Sequence, residues 1–253
     1  MPWDPDCYHQ FKQERSAPFD DLLALVEARP GLRAIDLGCG TGELTNKLAA
    51  HLPGSQVVGI DSSPEMLQRS RPFERAGLSF KHGRIEELDG QWDLIFSNAA
   101  LQWVDDHPAL FAQLVSRLQP GGQIAVQMPS NHRHLSHNLI LETASEEPLR
   151  NMLSGWVRRS PVLETEAYAE LLYQQGCSHV VVFEKVYPHM LADADALADW
   201  TSGTALVPYF ERLDEVGREL FLQHYRAKLR LAWPATPVFY PFRRILFSAR
   251  RPA

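Results

Sequence analysis

Asp36-Leu37-Gly38-Cys39-Gly40-Thr41-Gly42 reads DLGCGTG. A short apolar run, LRAI at 32–35, precedes it, and ELTNKLAA at 43–50 follows with helical spacing. Apolar strand, glycine turn and helix form the arrangement that holds a ligand at the carboxyl edge of a parallel sheet. The three glycines let the backbone come close to that ligand. Their spacing is G-x-G-x-G, whereas a dinucleotide fingerprint is G-x-G-x-x-G, and Glu43 stands at its last glycine. No G-K-[ST] follows, so this is not a P-loop.

Two acids narrow the ligand. Asp36, two residues before the first glycine, would face a pyrophosphate badly and suits a ligand with an ammonium group. Asp61 ends the next strand-like run, QVVGI at 56–60. There it can accept hydrogen bonds from both hydroxyls of a ribose. A nucleoside with a ribose, a cationic amino-acid tail and no phosphate is S-adenosyl-L-methionine.

The alternation continues outward. Residues 34–37 read as a strand and 44–51 as a helix. Residues 64–71 predict a helix, with Ser62 or Ser63 as N-cap and Pro64 just inside. Residues 78–82 read as a weak strand and WDLIFS at 92–97 as a strong one. A helix over 108–118 should stop at Pro120-Gly121-Gly122, before another strand, QIAVQM at 123–128. Strands alternating with helices predict an α/β fold with a parallel sheet covered on both faces. The second half is less regular: a helix over 165–175, a strand over 180–187, helical pattern over 189–231 and a last strand over 244–250. A helical cap inserted late in the sheet is the expectation. The organisation read from this is one domain over 1–253, with an amino-terminal lid over 1–30, a cofactor core over 31–130 and the cap over 188–240.

Composition excludes several classes. The chain has 253 residues and a formal net charge of -6, which disfavours a broad nucleic-acid-binding face. Cys7, Cys39 and Cys177 are too widely spaced for a disulfide framework or a zinc site. The start, MPWDPDCYHQ, has no apolar signal core. No apolar run approaches the roughly 20 residues that cross a bilayer. The expectation is a cytoplasmic protein with no membrane partner, a monomer or weak homodimer.

AIDLGCGTG, VVGIDSSPEML, DLIFSNAALQW and LQPGGQIAVQM resemble the successive motifs of class I S-adenosyl-L-methionine-dependent methyltransferases. The resemblance narrows further. WDPDCYHQFKQERSAP, AVQMPSN, DWTSGTALVPYF, LFLQHY and FRRILFSARR are similar to landmarks of the trans-aconitate 2-methyltransferase family. That family makes a monomethyl ester of a tricarboxylate. The resemblance implies a Rossmann-like, mostly parallel seven-stranded sheet with a helical cap. It also implies a cofactor site of Asp36, Gly38, Cys39, Gly40, Gly42, Asp61, Ser62, Met66, Arg84, Ile85, Asn98, Ala99 and Trp103, with S-adenosyl-L-homocysteine as product. The chain departs from the family at Thr41 (Pro), Ser130 (Asp) and Val207 (Arg). At Arg84 an acid that would accept from the adenine amino group is missing, so a backbone carbonyl or Glu86 must serve.

Methyl transfer to a carboxylate needs no general base, because the acid is ionised at neutral pH. Alignment in a dry pocket suffices, and no catalytic side chain is expected. What the acid needs is cations, ideally arginine forks. Arg15 and Arg244 are the candidates, while Arg243 should point to the opposite face. Tyr8, Trp103, Trp200 and Tyr209 are candidate walls. His132, His134 and His137 lack acidic or cysteine neighbours, so the reading is an anion-contacting loop, with His132 in the substrate set, and no metal. The expected partner is a small carboxylic acid. A carrier-bound or natural-product acid, and a non-catalytic S-adenosyl-L-methionine-binding protein, stay open as alternatives.

Overall fold

The computed structural model describes residues 12–253, with side chains from Ala17 onward. Tyr8 and the Arg15 side chain lie outside the described residues.

In chain order the elements are α1 (Lys12–Leu23), β1 (Arg33–Leu37), α2 (Glu43–His51), β2 (Gln56–Asp61), α3 (Pro64–Ser70), β3 (Leu78–His82), β4 (Trp92–Asn98), α4 (His107–Ser116), β5 (Leu118–Pro129), α5 (Leu135–Ser145), α6 (Leu149–Met152), α7 (Thr165–Gln174), β6 (Ser178–Leu191), α8 (Ala194–Ser202), α9 (Val207–Phe210), α10 (Glu215–Ala232) and β7 (Val238–Arg250). Among the described residues, seven strands form one sheet in the order β3-β2-β1-β4-β5-β7-β6. The pairs β1–β2, β2–β3, β1–β4 and β4–β5 are parallel, and β5–β7 is antiparallel. A mostly parallel sheet with connecting helices is what the alternation predicts.

Local chemistry explains the boundaries. β1 is buried at every residue after Arg33, as expected of a central parallel strand covered on both faces. α3 starts where Ser63 accepts from the Met66 backbone N–H, with Pro64 in the first turn. α4 starts at the Asp106 cap, which accepts from Ala109 N. It ends at Ser116, and β5 begins at Leu118, ahead of Pro120-Gly121-Gly122. In sequence alone that triplet reads as a helix stop. The register steps from Trp92↔Leu118 to Leu94↔Gln123, so the triplet lies in a bulge of β5.

The chain divides into two compact units. The first comprises Ser16–Pro129, Pro161–Lys185 and Arg244–Ala253. Its core joins Ile35, Leu37, Ile95, Phe111, Val126, Tyr168 and Phe247. In it Phe19 is buried edge-on against Phe96, and Gln123 bonds the backbone of Leu25 and Glu27. Residues from Phe19 to Glu27 are thus built into the sheet unit. The lid expected over 1–30 does not include these residues, and its first part lies outside the described side chains.

The second unit contains, among the described residues, the backbone of 12–15 together with Ser130–Ser160 and Val186–Arg243. Its own core includes Leu139, Leu197, Trp200, Tyr209, Phe221, Tyr225 and Tyr240, with α10 packed on α5 and α8. A cap over 188–240 is therefore too short an expectation. The stretch 130–160 contributes α5 and α6, which the sequence reading missed because α5 is capped by a histidine: His134 accepts from Ser136 N.

Candidate active site

The strand order runs one way from β1 to β2 and β3 and the other way to β4 and β5. Crevices outside the carboxyl ends at such a reversal are where α/β sheets hold ligands. Two turns meet there, Gly38 to Gly42 after β1 and Ala99 to Trp103 after β4. Gly38, Gly40 and Gly42 all have positive φ, 76°, 55° and 76°. A Cβ on Gly38 would lie 2.2 Å from the Ala100 Cβ, and one on Gly42 would lie 2.7 Å from the Phe80 ring. Gly40 differs, because a Cβ there would meet nothing within 4 Å. Two of the glycines therefore let the turn pack on protein, and the middle one faces open space.

Asp36 is 3% exposed. Its Oδ2 accepts from the Thr45 hydroxyl at 2.6 Å, while its Oδ1 is buried with no partner. Burial pushes its pKa up to about 7; the Thr45 bond opposes this and the nearby Asp61 charge adds to it. A buried, half-satisfied carboxylate is a site for a cation or donor from outside the chain. Asp61 is half-buried. Its Oδ2 accepts from Gly40 N at 2.8 Å and its Oδ1 from Ser63 N at 2.9 Å. Each oxygen keeps a second lone pair for a ligand hydroxyl. The Cys39 thiol is buried, and desolvation together with the Asp36 and Asp61 charges holds its pKa well above the ordinary thiol value. It is not a nucleophile.

The other residues expected around the cofactor follow the carboxyl ends of β2, β3 and β4 in the chain. Ser62 is exposed, and its carbonyl meets His82 Nε2 at 3.2 Å. Met66 is buried in α3. Arg84 is exposed and ion-paired to Glu86 at 3.0 Å, just before the short helix Ile85–Glu87. Glu86, expected to serve in place of the missing acid, is thus already engaged by Arg84. Ala99 has φ 56°, a left-handed backbone rare for a non-glycine residue. Its N–H donates to the Gln127 carbonyl and its carbonyl accepts from the Gln102 amide. Trp103 is half-buried in the short helix Leu101–Trp103.

Arg244 lies in β7, opposite Pro129, and is 6% exposed. Its Nη1 donates to Gln127 Oε1 at 2.8 Å, and Gln127 Nε2 donates to Asn98 Oδ1 at 2.8 Å. Asp36 is register partner of Phe96, Asn98 of Gln127, and Gln127 of Leu246. Side chains alternate along a strand, so Asp36, Asn98, Gln127 and Arg244 share one face of the sheet. Sequence reasoning missed Gln127. Its signal was a glutamine near the end of an otherwise apolar strand, QIAVQM.

The remaining candidates belong to the second unit. His132 is half-buried in the short helix Asn131–Arg133. The stretch expected as a loop is thus helical, with His134 capping α5 and stacked on Trp233. Burial pushes the His137 pKa down to about 3, with help from His134 and His132. Among the described residues, no three His, Cys, Asp or Glu form a group able to hold a metal. Trp200 is buried among His189, Tyr240 and Phe242. Tyr209 is buried against Trp156 and Phe221, and its hydroxyl accepts from Arg158 N. Both rings, expected as pocket walls, are core of this unit because each packs edge-on or tilted against several aromatic partners. Arg243 is exposed while Arg244 is buried, the opposite-face arrangement that alternation requires. Val207 opens α9.

The chain matches a family model described as a methyltransferase domain over residues 28–176. Among curated proteins it is 49% identical to a trans-aconitate 2-methyltransferase of Deinococcus radiodurans, covering 100% of this chain and 99% of that one. Identity to the proteins of that name is 40% in Streptomyces coelicolor, over 99% of this chain and 87% of that one, and 38% in Rhizobium meliloti, over 99% of both. Among solved structures, the YcgJ protein of Bacillus subtilis aligns with a TM-score of 0.63 at 14% identity, over 94% of this chain and 99% of that one. A Haemonchus contortus phosphoethanolamine N-methyltransferase 2, in complex with S-adenosylhomocysteine, aligns at 0.59 and 19%, over 94% and 53%. These last likenesses establish the class I methyltransferase fold. Identity near one half along the whole length establishes more, and the chain belongs to the trans-aconitate 2-methyltransferase family.

Proposed function

We propose that the protein is an S-adenosyl-L-methionine-dependent carboxyl O-methyltransferase that makes a methyl ester of a small polycarboxylic acid, trans-aconitate or a close relative. The end-to-end identity to relatives carrying that name is the observation that carries the reading. The residues at the sheet edge fit the cofactor: an orphaned Asp36 oxygen for its ammonium, Asp61 lone pairs for its ribose, and open space over Gly40 for its close approach. When bound, S-adenosyl-L-methionine supplies a methyl group on a positively charged sulfur and departs as S-adenosyl-L-homocysteine.

The protein's part is binding and orientation. The acid arrives ionised, so no side chain has to remove a proton. Arg244 supplies a fixed, planar donor for one carboxylate, with Arg15, Tyr8, Trp103 and His132 as further proposed contacts. Trp200 and Tyr209 shape the helical unit from within its core. No described helix is long and apolar enough to cross a membrane, in keeping with a freely diffusing acid. A cytoplasmic monomer or weak homodimer is part of the same proposal.

The test is incubation with methyl-labelled cofactor and a panel of mono-, di- and tricarboxylic acids, followed by identification of base-labile methyl products. A labelled ester of trans-aconitate is the expected result. Label on a carrier-bound acid instead would replace the small-acid reading, and cofactor binding with no ester from any acid would overturn the enzyme reading.

A further inference from the structure

The direction of the hydrogen-bond chain at the carboxyl edge is forced from one end. A guanidinium has donors and no acceptor, so Gln127 must turn its oxygen to Arg244, at 2.8 Å. The other end of that amide is then a donor, and Asn98 must meet it with its own oxygen, also at 2.8 Å. This leaves the NH2 of Asn98 as the outward end, with two N–H donors. Flipping either amide would set donor against donor or acceptor against acceptor. Gln127 is fully buried and clamped between β4 and β7 by its register partners Asn98 and Leu246. Asn98 is only half-buried, at the carboxyl end of β4. Leaving either bond of Gln127 unmade would strand a buried polar atom, so its orientation is tightly held.

We propose that Gln127 is a positioning residue for the reaction: it holds Arg244 and, through the polarity it transmits, presents the Asn98 amide to the acid as a second donor. The proposal rests on the reading that Arg244 anchors a carboxylate. A cation on β7 and an N–H donor on β4, joined through Gln127, suit an anionic substrate. The choice of glutamine matters as well. It gives Arg244 an acceptor without placing another negative charge at an edge that must receive a polyanion. Glutamate would still hold the guanidinium but would add that charge and lose the donor to Asn98.

The experiment compares the wild type, Gln127→Glu, Gln127→Met, Asn98→Asp and Arg244→Ala as full chains. It measures cofactor affinity by calorimetry, thermal midpoints, and kcat and KM for the acid that the wild type esterifies and for analogues with fewer carboxylates. Gln127→Glu is expected to keep cofactor affinity within about threefold, and both Gln127→Glu and Asn98→Asp are expected to raise KM for the polycarboxylate at least tenfold. The penalty should shrink as substrate carboxylates are removed, which a merely structural role would not produce. Gln127→Met should lose activity without that charge dependence. Wild-type KM in Gln127→Glu, or equal penalties for all acids, would overturn the proposal. If the Gln127 variants do not fold, Asn98→Asp decides alone, and an unchanged KM overturns it. Impaired Arg244→Ala beside normal Gln127 and Asn98 variants would sink the positioning role only. Normal kinetics in Arg244→Ala would sink the anchoring reading beneath it.

Discussion

Asp36 has one carboxylate oxygen bound to Thr45 and the other buried without a partner, and this has a consequence in pH. Its folded pKa lies near 7, raised chiefly by burial, while an unfolded aspartate titrates near 4. Between those values the folded chain holds a proton that the unfolded chain has lost. Asp36's contribution to stability is therefore fully present below about pH 4 and is lost as pH rises toward 7. Cofactor binding runs the other way, because an ammonium favours the ionised carboxylate. Affinity should climb from pH 5.5 to 7.5 in the wild type, and Asp36→Asn should flatten that limb. Titration calorimetry across the range decides it, and identical profiles in both proteins would remove Asp36 from the site. Asp61 has a simpler role. Hydrogen bonds to a charged group contribute about 1.5–3 kcal/mol, so Asp61→Ala should weaken cofactor binding by about tenfold or more. Because Asp61 also holds Gly40 and Ser63, a thermal midpoint must be recorded with the affinity. A well-folded variant with unchanged affinity would show that the ribose lies elsewhere.

The glycine turn separates packing from recognition. Gly38→Ala drives a Cβ into Ala100, and overpacking of this kind costs about 1–3 kcal/mol. Stability and cofactor affinity should fall together. Gly40→Ala meets no neighbour, so it bears only the left-handed backbone penalty of about 1–2 kcal/mol. Its affinity loss should therefore exceed what its small drop in thermal midpoint accounts for. Normal affinity in Gly40→Ala would mean that the ligand does not pass over this turn. The turn and the strands around it were legible in the sequence because their signals are local: three spaced glycines, an acid ahead of them, and continuous apolar runs in β1 and β4. Other features were not local. Pro120-Gly121-Gly122 reads as a helix stop, yet Leu118 already pairs with Trp92 across the sheet. α5 begins at a histidine cap outside the usual Ser, Thr, Asp and Asn set. Gln127 acquires meaning only when β4 and β7 bring Asn98 and Arg244 to either side of it. Trp200 and Tyr209 could not be told from pocket walls, because an aromatic looks the same in sequence whether it lines a site or fills a core.

A chain of net charge -6 that accepts a polyanion must reverse its potential locally, and desolvated carboxylates need fixed partners. Because the acid brings its own charge, Lewis-acid activation is unnecessary. Exhaustive chelation should leave turnover intact, whereas a loss restored by zinc or magnesium would contradict the alignment mechanism. The proposed anchor for that reversal is Arg244, buried on the same sheet face as Asp36 and Asn98. Arg244→Ala should cost about 2–4 kcal/mol in kcat/KM for the true acid, with cofactor affinity nearly unchanged. Part of the effect could come from unfolding, since removing the guanidinium strands the buried Gln127 oxygen. That loss would appear in the thermal midpoint and in cofactor affinity alike, so it can be separated from a loss confined to the acid. Arg244→Lys provides the sharper comparison. It keeps the charge and can still donate to Gln127, but an ammonium cannot make a planar two-point contact. If orientation of the carboxylate is what the site supplies, Lys should preserve stability and still lose most of the rate. A lysine variant with wild-type kcat/KM would show that the edge supplies only charge, and the fork would have to be sought elsewhere in the chain.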